Sequence, residues 1–94
     1  MPYFGELESA KVLNLAQKFG IESIKLFGSR AKGTSTAASD YDFLVRFGST
    51  VSLIQIIGFK QEAEQLLGRP VDIIEEGGIP ILLREQILSE AIAI

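Results

Sequence analysis

Two aspartates stand two positions apart near the middle of the chain, in the segment Ser39-Asp40-Tyr41-Asp42. Residues at this spacing in a β-strand point to the same face, so both carboxylates lie side by side if the segment is a strand. Adjacent carboxylates repel each other, and a divalent cation removes the repulsion. Oxygen ligands combined with substrate phosphates are typical of magnesium sites. The alternative is a strand end with two solvated acids, and the pair alone does not decide between the two.

Gly28 and Ser29 follow an apolar stretch and offer a second part of such a site. A glycine at a strand end lets the backbone approach a ligand closely, and the start of a helix presents unpaired N–H groups that suit a phosphate. The Ser29 hydroxyl can donate to a phosphate oxygen, and Arg30 and Lys32 are available to neutralise its charge. The alternative is an ordinary helix cap. A Walker A loop is excluded, because Gly-x-x-x-x-Gly-Lys-Ser/Thr does not occur.

Asp72 is the third acid that the sequence singles out, because its neighbours Val71, Ile73 and Ile74 are all apolar. A carboxylate in such surroundings requires a partner. Two alternatives fit: a ligand role beside the other acids, and a salt bridge to one of the arginines at positions 46 and 69.

The residue types that the chain lacks exclude several kinds of active site. It has 94 residues with no His and no Cys, which excludes Ser-His-Asp and Cys-His triads, zinc sites built from Cys and His and a disulfide framework. If the chain is an enzyme, its chemistry rests on carboxylates, hydroxyls, Lys, Arg and backbone amides, with or without a hard metal ion. The net charge of −3 argues against stable non-specific binding of nucleic acid, which depends on basic patches.

Apolar residues make up 47% of the chain. No apolar run approaches the ~20 residues that a membrane span needs, and no secretory signal pattern is visible. We therefore expect a cytoplasmic protein with no membrane partner. The high apolar content favours either a dense core or an apolar surface that a partner covers.

Ten residues separate Ser29 from Asp40, which gives the pattern Gly-Ser-x10-Asp-x-Asp. This pattern resembles the signature of the polymerase-beta-like nucleotidyltransferase superfamily. Residues 28–33 and 39–42 together are similar to its smallest branch, the minimal nucleotidyltransferases or MNT proteins, which pair with HEPN proteins as toxin–antitoxin systems. The segment 83–91 resembles the last helix of that family, so the similarity covers nearly the whole chain.

The resemblance implies the reaction and the metal. A nucleoside monophosphate, AMP from ATP, is expected to pass to an acceptor hydroxyl with Mg²⁺, or Mn²⁺ in its place, as cofactor. Asp40, Asp42 and Asp72 are implied as the metal ligands and catalytic residues, with Asp72 nearest the attacking oxygen. This assignment favours the ligand role for Asp72 over a salt bridge.

The resemblance also implies the binding residues and the partner. Gly28 and Ser29 are expected to anchor the phosphates, and Arg30 and Lys32 to neutralise their charge. The chain has no room for an acceptor-binding domain of its own, so the implied acceptor is a tyrosine of a HEPN toxin, in a hetero-oligomer with this antitoxin. Two alternatives stay open: an antitoxin that acts by binding alone, and a subunit of a small-molecule nucleotidyltransferase.

The elements that position these residues follow from hydrophobic periodicity and from the glycines and prolines. We predict helices over residues 7–19, 29–32, 52–67 and 81–92, and strands over residues 21–27, 40–47 and 71–74. This order predicts one two-layer α/β (α+β) domain over residues 1–94, a nucleotidyltransferase fold. Its small mixed sheet has three to four strands with helices packed on one face, and a right-handed crossover joins the second and third strands.

Side-chain directions follow from the same patterns. Tyr41 lies between the two aspartates in sequence and is expected to face away from them, into the core. Ser29 is expected to cap the short helix. The residues expected on the buried faces of the first and the long helix are Leu7, Ala10, Leu13 and Ala16, and Leu53, Ile56, Ile57, Ala63 and Leu67.

Overall fold

The computed structural model describes residues 6–33, 36, 38–48 and 50–94, with the side chains of residues 6 and 7 outside the description. The helices are α1 (Glu6–Lys18), α2 (Ser29–Lys32), α3 (Leu53–Leu67) and α4 (Ile81–Glu90), and the strands are β1 (Ile21–Phe27), β2 (Tyr41–Phe47), β3 (Val71–Glu75) and β4 (Ile92–Ala93). A 3₁₀ turn covers Glu76–Gly78. Within these described ranges, no helix has the length and apolar character that crossing a membrane requires.

The four strands form one mixed sheet in the order β3-β2-β1-β4. β2 and β3 are parallel neighbours joined through α3, whereas β1 pairs antiparallel with both β2 and β4. The predicted mixed α/β sheet is confirmed. The last helix was predicted two residues too long, because the chain leaves it after Glu90 and Ile92 pairs with Leu26 of β1. A strand of two residues is too short to show a period of its own.

The core lies between one face of the sheet and the helices α1 and α3, which also contact each other. Side chains of a strand alternate between faces, so Phe43 and Val45 of β2 both enter this core. In β1 the register is irregular between Ile21 and Ser23, and Ile21, Ile24 and Leu26 enter it. The buried cluster consists of Val12, Ala16, Ile21, Ile24, Leu26, Phe43, Val45, Phe59, Ala63 and Val71.

The buried faces of the two long helices differ in part from the prediction. Leu13 is 42% exposed and Leu53 is 71% exposed, whereas Val12 and Phe59 are fully buried in their place. Ile57, also expected inside, is exposed. Apolar residues occur on more than one side of each helix, so helical periodicity does not select the side that meets the sheet.

The start of α3 is fixed by a reciprocal pair of hydrogen bonds. Ser52 Oγ accepts from the Gln55 backbone N–H at 3.3 Å, and the Ser52 N–H donates to Gln55 Oε1 at 2.9 Å. Ser52 is therefore the N-cap of this helix, not its first residue as predicted. Such a capping box satisfies two backbone donors that the helix leaves unpaired, and it fixes the helix that carries the chain from β2 to β3.

Candidate active site

Asp42 and Asp72 are brought together by the parallel pairing of β2 with β3, in which they are direct partners. Their sequence neighbours Phe43 and Val71 are fully buried in the core. Because side chains alternate along each strand, the two aspartates leave the sheet on its other face. The sheet register, and not sequence proximity, therefore makes this carboxylate pair.

Gly28 brings the end of β1 against the same pair. The antiparallel register sets Phe27 opposite Asp42, so the turn at Gly28 begins directly beside that aspartate. Gly28 has a φ of 76°, which side chains disfavour, and a Cβ at this position would overlap Asp42 Oδ2. The positive φ and the close contact with Asp42 both favour glycine at this position.

The surroundings of Asp42 disfavour its charged form. Burial raises the pKa of Asp42, and the carboxyl of Asp72, which also shares a hydrogen bond with it, raises that pKa further. Asp40 adds a smaller contribution in the same direction. A divalent cation would remove this penalty, and carboxylate oxygens are the ligands that Mg²⁺ prefers. The Asp42–Asp72 pair thus fits a hard metal ion.

The predicted alternative for Asp72, a salt bridge to an arginine, is not what the structure shows. Arg46 lies with Nε 3.6 Å from Glu22 Oε1, and Arg69 lies with Nη2 3.2 Å from Asp40 Oδ1. In the described part of the chain, Arg46 therefore pairs with Glu22 and Arg69 with Asp40, and neither pairs with Asp72.

Asp40 stands apart from the pair. β2 begins at Tyr41, so Asp40 precedes the strand that was predicted to contain it. Its carboxylate accepts from Arg69, which also donates to the Ala38 carbonyl. Within the described part of the chain, no three acidic side chains are arranged to hold a metal ion. The role of Asp40 as a metal ligand stays a prediction.

Ser29 and Lys32 lie on α2, immediately after the Gly28 turn. Gly28 is the N-cap of this helix and Ser29 is its first residue, so the prediction that Ser29 caps it is wrong. The reason is that β1 ends at Phe27, which leaves a single residue for the turn. Lys32 Nζ lies 3.4 Å from Glu90 Oε2 of α4. The phosphate-binding role of these residues stays a prediction.

Arg30 packs against the loop before β2. Its side chain is buried, with 7% of the residue exposed, and its guanidinium carbon lies 3.9 Å from the centroid of the Tyr41 ring. Nη2 donates to the Ser39 carbonyl at 2.7 Å and to the Thr36 carbonyl at 3.3 Å. Nη2 of the guanidinium is thus held by the loop before β2, and the role of Arg30 in neutralising phosphate charge stays a prediction. Tyr41 faces the core as predicted, but nothing in the sequence pattern pairs it with Arg30.

The candidate site is thus a glycine turn beside an acidic pair at one corner of a mixed α/β sheet. Residues 10–94 match the family described as "Polymerase beta, Nucleotidyltransferase". The chain belongs to this family, and the resemblance seen in the sequence is confirmed.

Two relatives support the same assignment. A candidate protein adenylyltransferase of Methanocaldococcus jannaschii, MJ0435, is 37% identical over 82 residues, which cover 87% of this chain and 88% of that protein. The protein adenylyltransferase MntA of Thermococcus cleftensis is 32% identical over 90 residues, which cover 93% of this chain and 91% of that one.

Solved structures with the same fold include a candidate minimal nucleotidyltransferase, with a TM-score of 0.84, 39% identity and coverage of 94% of this chain and 90% of that one. A toxin–antitoxin complex with AMP-PNP matches with a TM-score of 0.76 at 24% identity, over 90% of this chain and 70% of that one. A complex of MNT antitoxin with the tri-AMPylated HEPN toxin of Shewanella oneidensis matches with a TM-score of 0.70 at 21% identity, over 94% and 69%. At 24% and 21% identity, the similarity to these two complexes shows only a shared fold.

Proposed function

We propose that this chain is the antitoxin of a toxin–antitoxin pair and that it transfers AMP from ATP to a tyrosine hydroxyl of a HEPN toxin, which neutralises the toxin. The observation that carries the proposal is the Gly28 turn packed directly against the Asp42–Asp72 pair. Relatives at 37% and 32% identity bear the name protein adenylyltransferase, and structures of the same fold include an MNT antitoxin bound to an AMPylated HEPN toxin.

The nucleotide and metal sites of this proposal share one corner of the sheet. Gly28 and Ser29 take the β- and γ-phosphates of ATP, where the glycine leaves room for the backbone to approach. Asp42 and Asp72 hold Mg²⁺, or Mn²⁺ in its place, with Asp40 as a third ligand. A metal ion at such a site stabilises the charge on the phosphates and on the entering and leaving oxygens.

The acceptor approaches from the side of Asp72. β3 is an edge strand of the sheet, and Asp72 is exposed, so a hydroxyl on a second protein can reach this carboxylate without a groove in this chain. A tyrosine hydroxyl has an unperturbed pKa of about 10 and needs help to lose its proton. Asp72 accepts that proton as the oxygen attacks the α-phosphorus and pyrophosphate leaves. The added phosphate and nucleoside then block the RNA-binding region of the toxin.

The test is a reconstituted reaction. Purified HEPN toxin from the neighbouring gene is mixed with this protein, ATP and Mg²⁺, and toxin mass and ribonuclease activity are followed together. We expect AMP adducts on tyrosine that appear as ribonuclease activity falls, and no adducts with Asp42→Asn. Arg46→Gln is the matched control, because Arg46 lies on the same strand, is exposed and contacts Glu22 instead of the acidic pair.

The same experiment separates the alternatives. If Asp42→Asn neutralised the toxin fully while toxin mass stayed unchanged, the antitoxin would act by binding alone. If wild-type protein left the toxin mass unchanged and transferred AMP only when a small-molecule acceptor was added, that acceptor would replace the protein acceptor.

A further inference from the structure

Arg30 connects the Gly28–Ser29 turn to the segment that contains Asp40. In sequence it follows Ser29 directly, and its side chain reaches Ser39 and Tyr41, the two residues that flank Asp40. We propose that Arg30 is a positioning residue, which fixes the loop before β2, and the acids that follow it, against the Gly28–Ser29 turn without touching the nucleotide. This inference rests on the proposed function, because it assigns a role within that same site.

The contacts are suited to holding a loop in place. Thr36 and Ser39 are joined by two hydrogen bonds: the Ser39 N–H donates to the Thr36 carbonyl at 3.1 Å, and the Thr36 N–H donates to Ser39 Oγ at 2.9 Å. Arg30 Nη2 donates to the carbonyls of both residues. A planar guanidinium can bond these carbonyls while its face lies on an aromatic ring, which a lysine ammonium cannot do.

The cost of burying Arg30 argues against a mere packing role. Among the described residues it has no carboxylate partner, and its Nε is buried with no hydrogen-bond partner. A buried charge is costly unless it is well paired, and an apolar side chain usually fills such a space at lower cost. What an apolar side chain cannot supply is the donor to the two loop carbonyls and the cation over Tyr41.

A positioning role and direct phosphate binding differ in what the loss of Arg30 would change. A phosphate ligand presents free N–H groups to the nucleotide, and its loss lowers nucleotide affinity first. A loop-positioning residue, once altered, leaves the nucleotide turn in place and displaces the acids. Its loss therefore lowers turnover more than nucleotide affinity, and it loosens the loop even when no nucleotide is present.

Arg30→Lys is the variant that tests the proposal, because it keeps the charge but loses the planar donor pair. We expect amide hydrogen exchange of residues 38–41 in the nucleotide-free protein to accelerate by about tenfold or more, since exchange reports local opening. Affinity for AMP-PNP, measured by calorimetry, should change by less than about threefold, while kcat for AMP transfer falls by about tenfold or more with KM for ATP nearly constant. Arg46→Gln, treated identically, should leave all three quantities unchanged.

A second pair of variants covers the case in which Arg30→Lys does not fold. Tyr41→Leu removes the ring beneath the guanidinium and should loosen residues 38–41 as Arg30→Lys does, whereas Tyr41→Phe keeps the ring and should loosen them less. The proposal is overturned if exchange in this loop is unchanged in both Arg30→Lys and Tyr41→Leu. It is also overturned if Arg30→Lys loses nucleotide affinity with kcat unchanged, since Arg30 then binds phosphate. Exchange and AMP-PNP affinity need no toxin, so they decide this proposal even if transfer to a toxin is never observed.

Discussion

The two faces of β2 place neighbouring residues in opposite environments. Phe43 and Val45 point into the core between the sheet and the helices α1 and α3, where both are fully buried. Asp42, one residue before Phe43, points to the other face, where it meets the carboxylate of Asp72 and the turn at Gly28. One strand therefore supplies both the centre of the core and the centre of the candidate site.

The difference shows how a chain of this size combines stability with chemistry. Burial of apolar side chains stabilises the face of the sheet that packs on α1 and α3, here called the closed face. On the opposite face, called the open face, the charge of Asp42 opposes folding, as its raised pKa indicates. Because side chains alternate along the strand, Phe43 and Val45 are separated from Asp42 by the thickness of the sheet, although the buried Leu44 lies on the same face as Asp42. Substitution of Phe43 or Val45 should therefore affect stability most, whereas substitution of Asp42 should affect ligand binding more than stability.

The largest effect is expected on the closed face. Phe43→Ala removes a fully buried ring and should lower the free energy of unfolding by about 3–5 kcal/mol. Urea denaturation followed by circular dichroism measures the change. Lys25→Ala is a suitable control, because Lys25 lies on the neighbouring strand, paired with Leu44, and its neighbour Leu26 is the core residue. A loss for Phe43→Ala no larger than that of the control would contradict the assignment of the core.

An intermediate effect is expected where the β1 turn meets the acids. Gly28 and Gly33 both have a φ of 76°, but ψ is −155° at Gly28 and 15° at Gly33. Alanine is therefore more strained at Gly28, in a region that is essentially restricted to glycine, than at Gly33, where the left-handed conformation costs about 1–2 kcal/mol. Only at Gly28 does the added Cβ overlap Asp42, whereas at Gly33 no described atom lies within 4 Å of it. Gly28→Ala should therefore be the less stable variant and should also lose AMP-PNP affinity, while Gly33→Ala keeps it. Equal stability and equal affinity in calorimetry would show that the turn does not pack against Asp42.

The smallest effect is a gain in stability on the open face. In the metal-free protein, Asp42→Asn removes one of two repelling carboxylates and should raise the melting temperature at neutral pH. The pKa of Asp42 in the folded protein is raised above its ordinary value of 3.8, so the folded state binds a proton more readily than the unfolded state. The penalty of the charged carboxyl is present above the raised pKa and disappears as the pH falls towards 3.8.

The advantage of Asp42→Asn should thus shrink with falling pH. Glu64 serves as the contrast, because the backbone N–H of Val71 and the ammonium of Lys60 lower its pKa below 4.5. Its stabilising contribution is present above that ordinary value and is lost as the pH falls through the lowered pKa. Glu64→Gln should accordingly lower the melting temperature at neutral pH, and its deficit should vanish in acid. Melting curves from pH 7 downwards that showed the same trend for both variants would contradict this distinction.

Much of the architecture could be predicted because its signals are local. β1 was predicted with its observed bounds, and the glycines at positions 20, 33 and 68 mark the ends of three helices as expected. The direction of Tyr41 followed from the strand period alone. The prediction of the buried faces of α1 and α3 was partly wrong. Leu13 and Leu53 are as apolar as the residues that reach the core, and only the packing of each helix against the sheet decides which of them is buried.

The sequence by itself determined which chemistry the chain can perform. The absence of His and Cys is a matter of composition, and the spacing from Gly28-Ser29 to Asp40 can be counted along the chain. The alternation that turns Asp42 away from the core depends only on neighbours within one strand. Tertiary structure alone decided which side chains meet. Asp72 lies beside Asp42 because two strands thirty residues apart pair in parallel, Asp40 is held by Arg69, and Arg30 lies over Tyr41. Contacts between distant segments depend on how the elements pack, and a periodic pattern within one element carries no information about its neighbours.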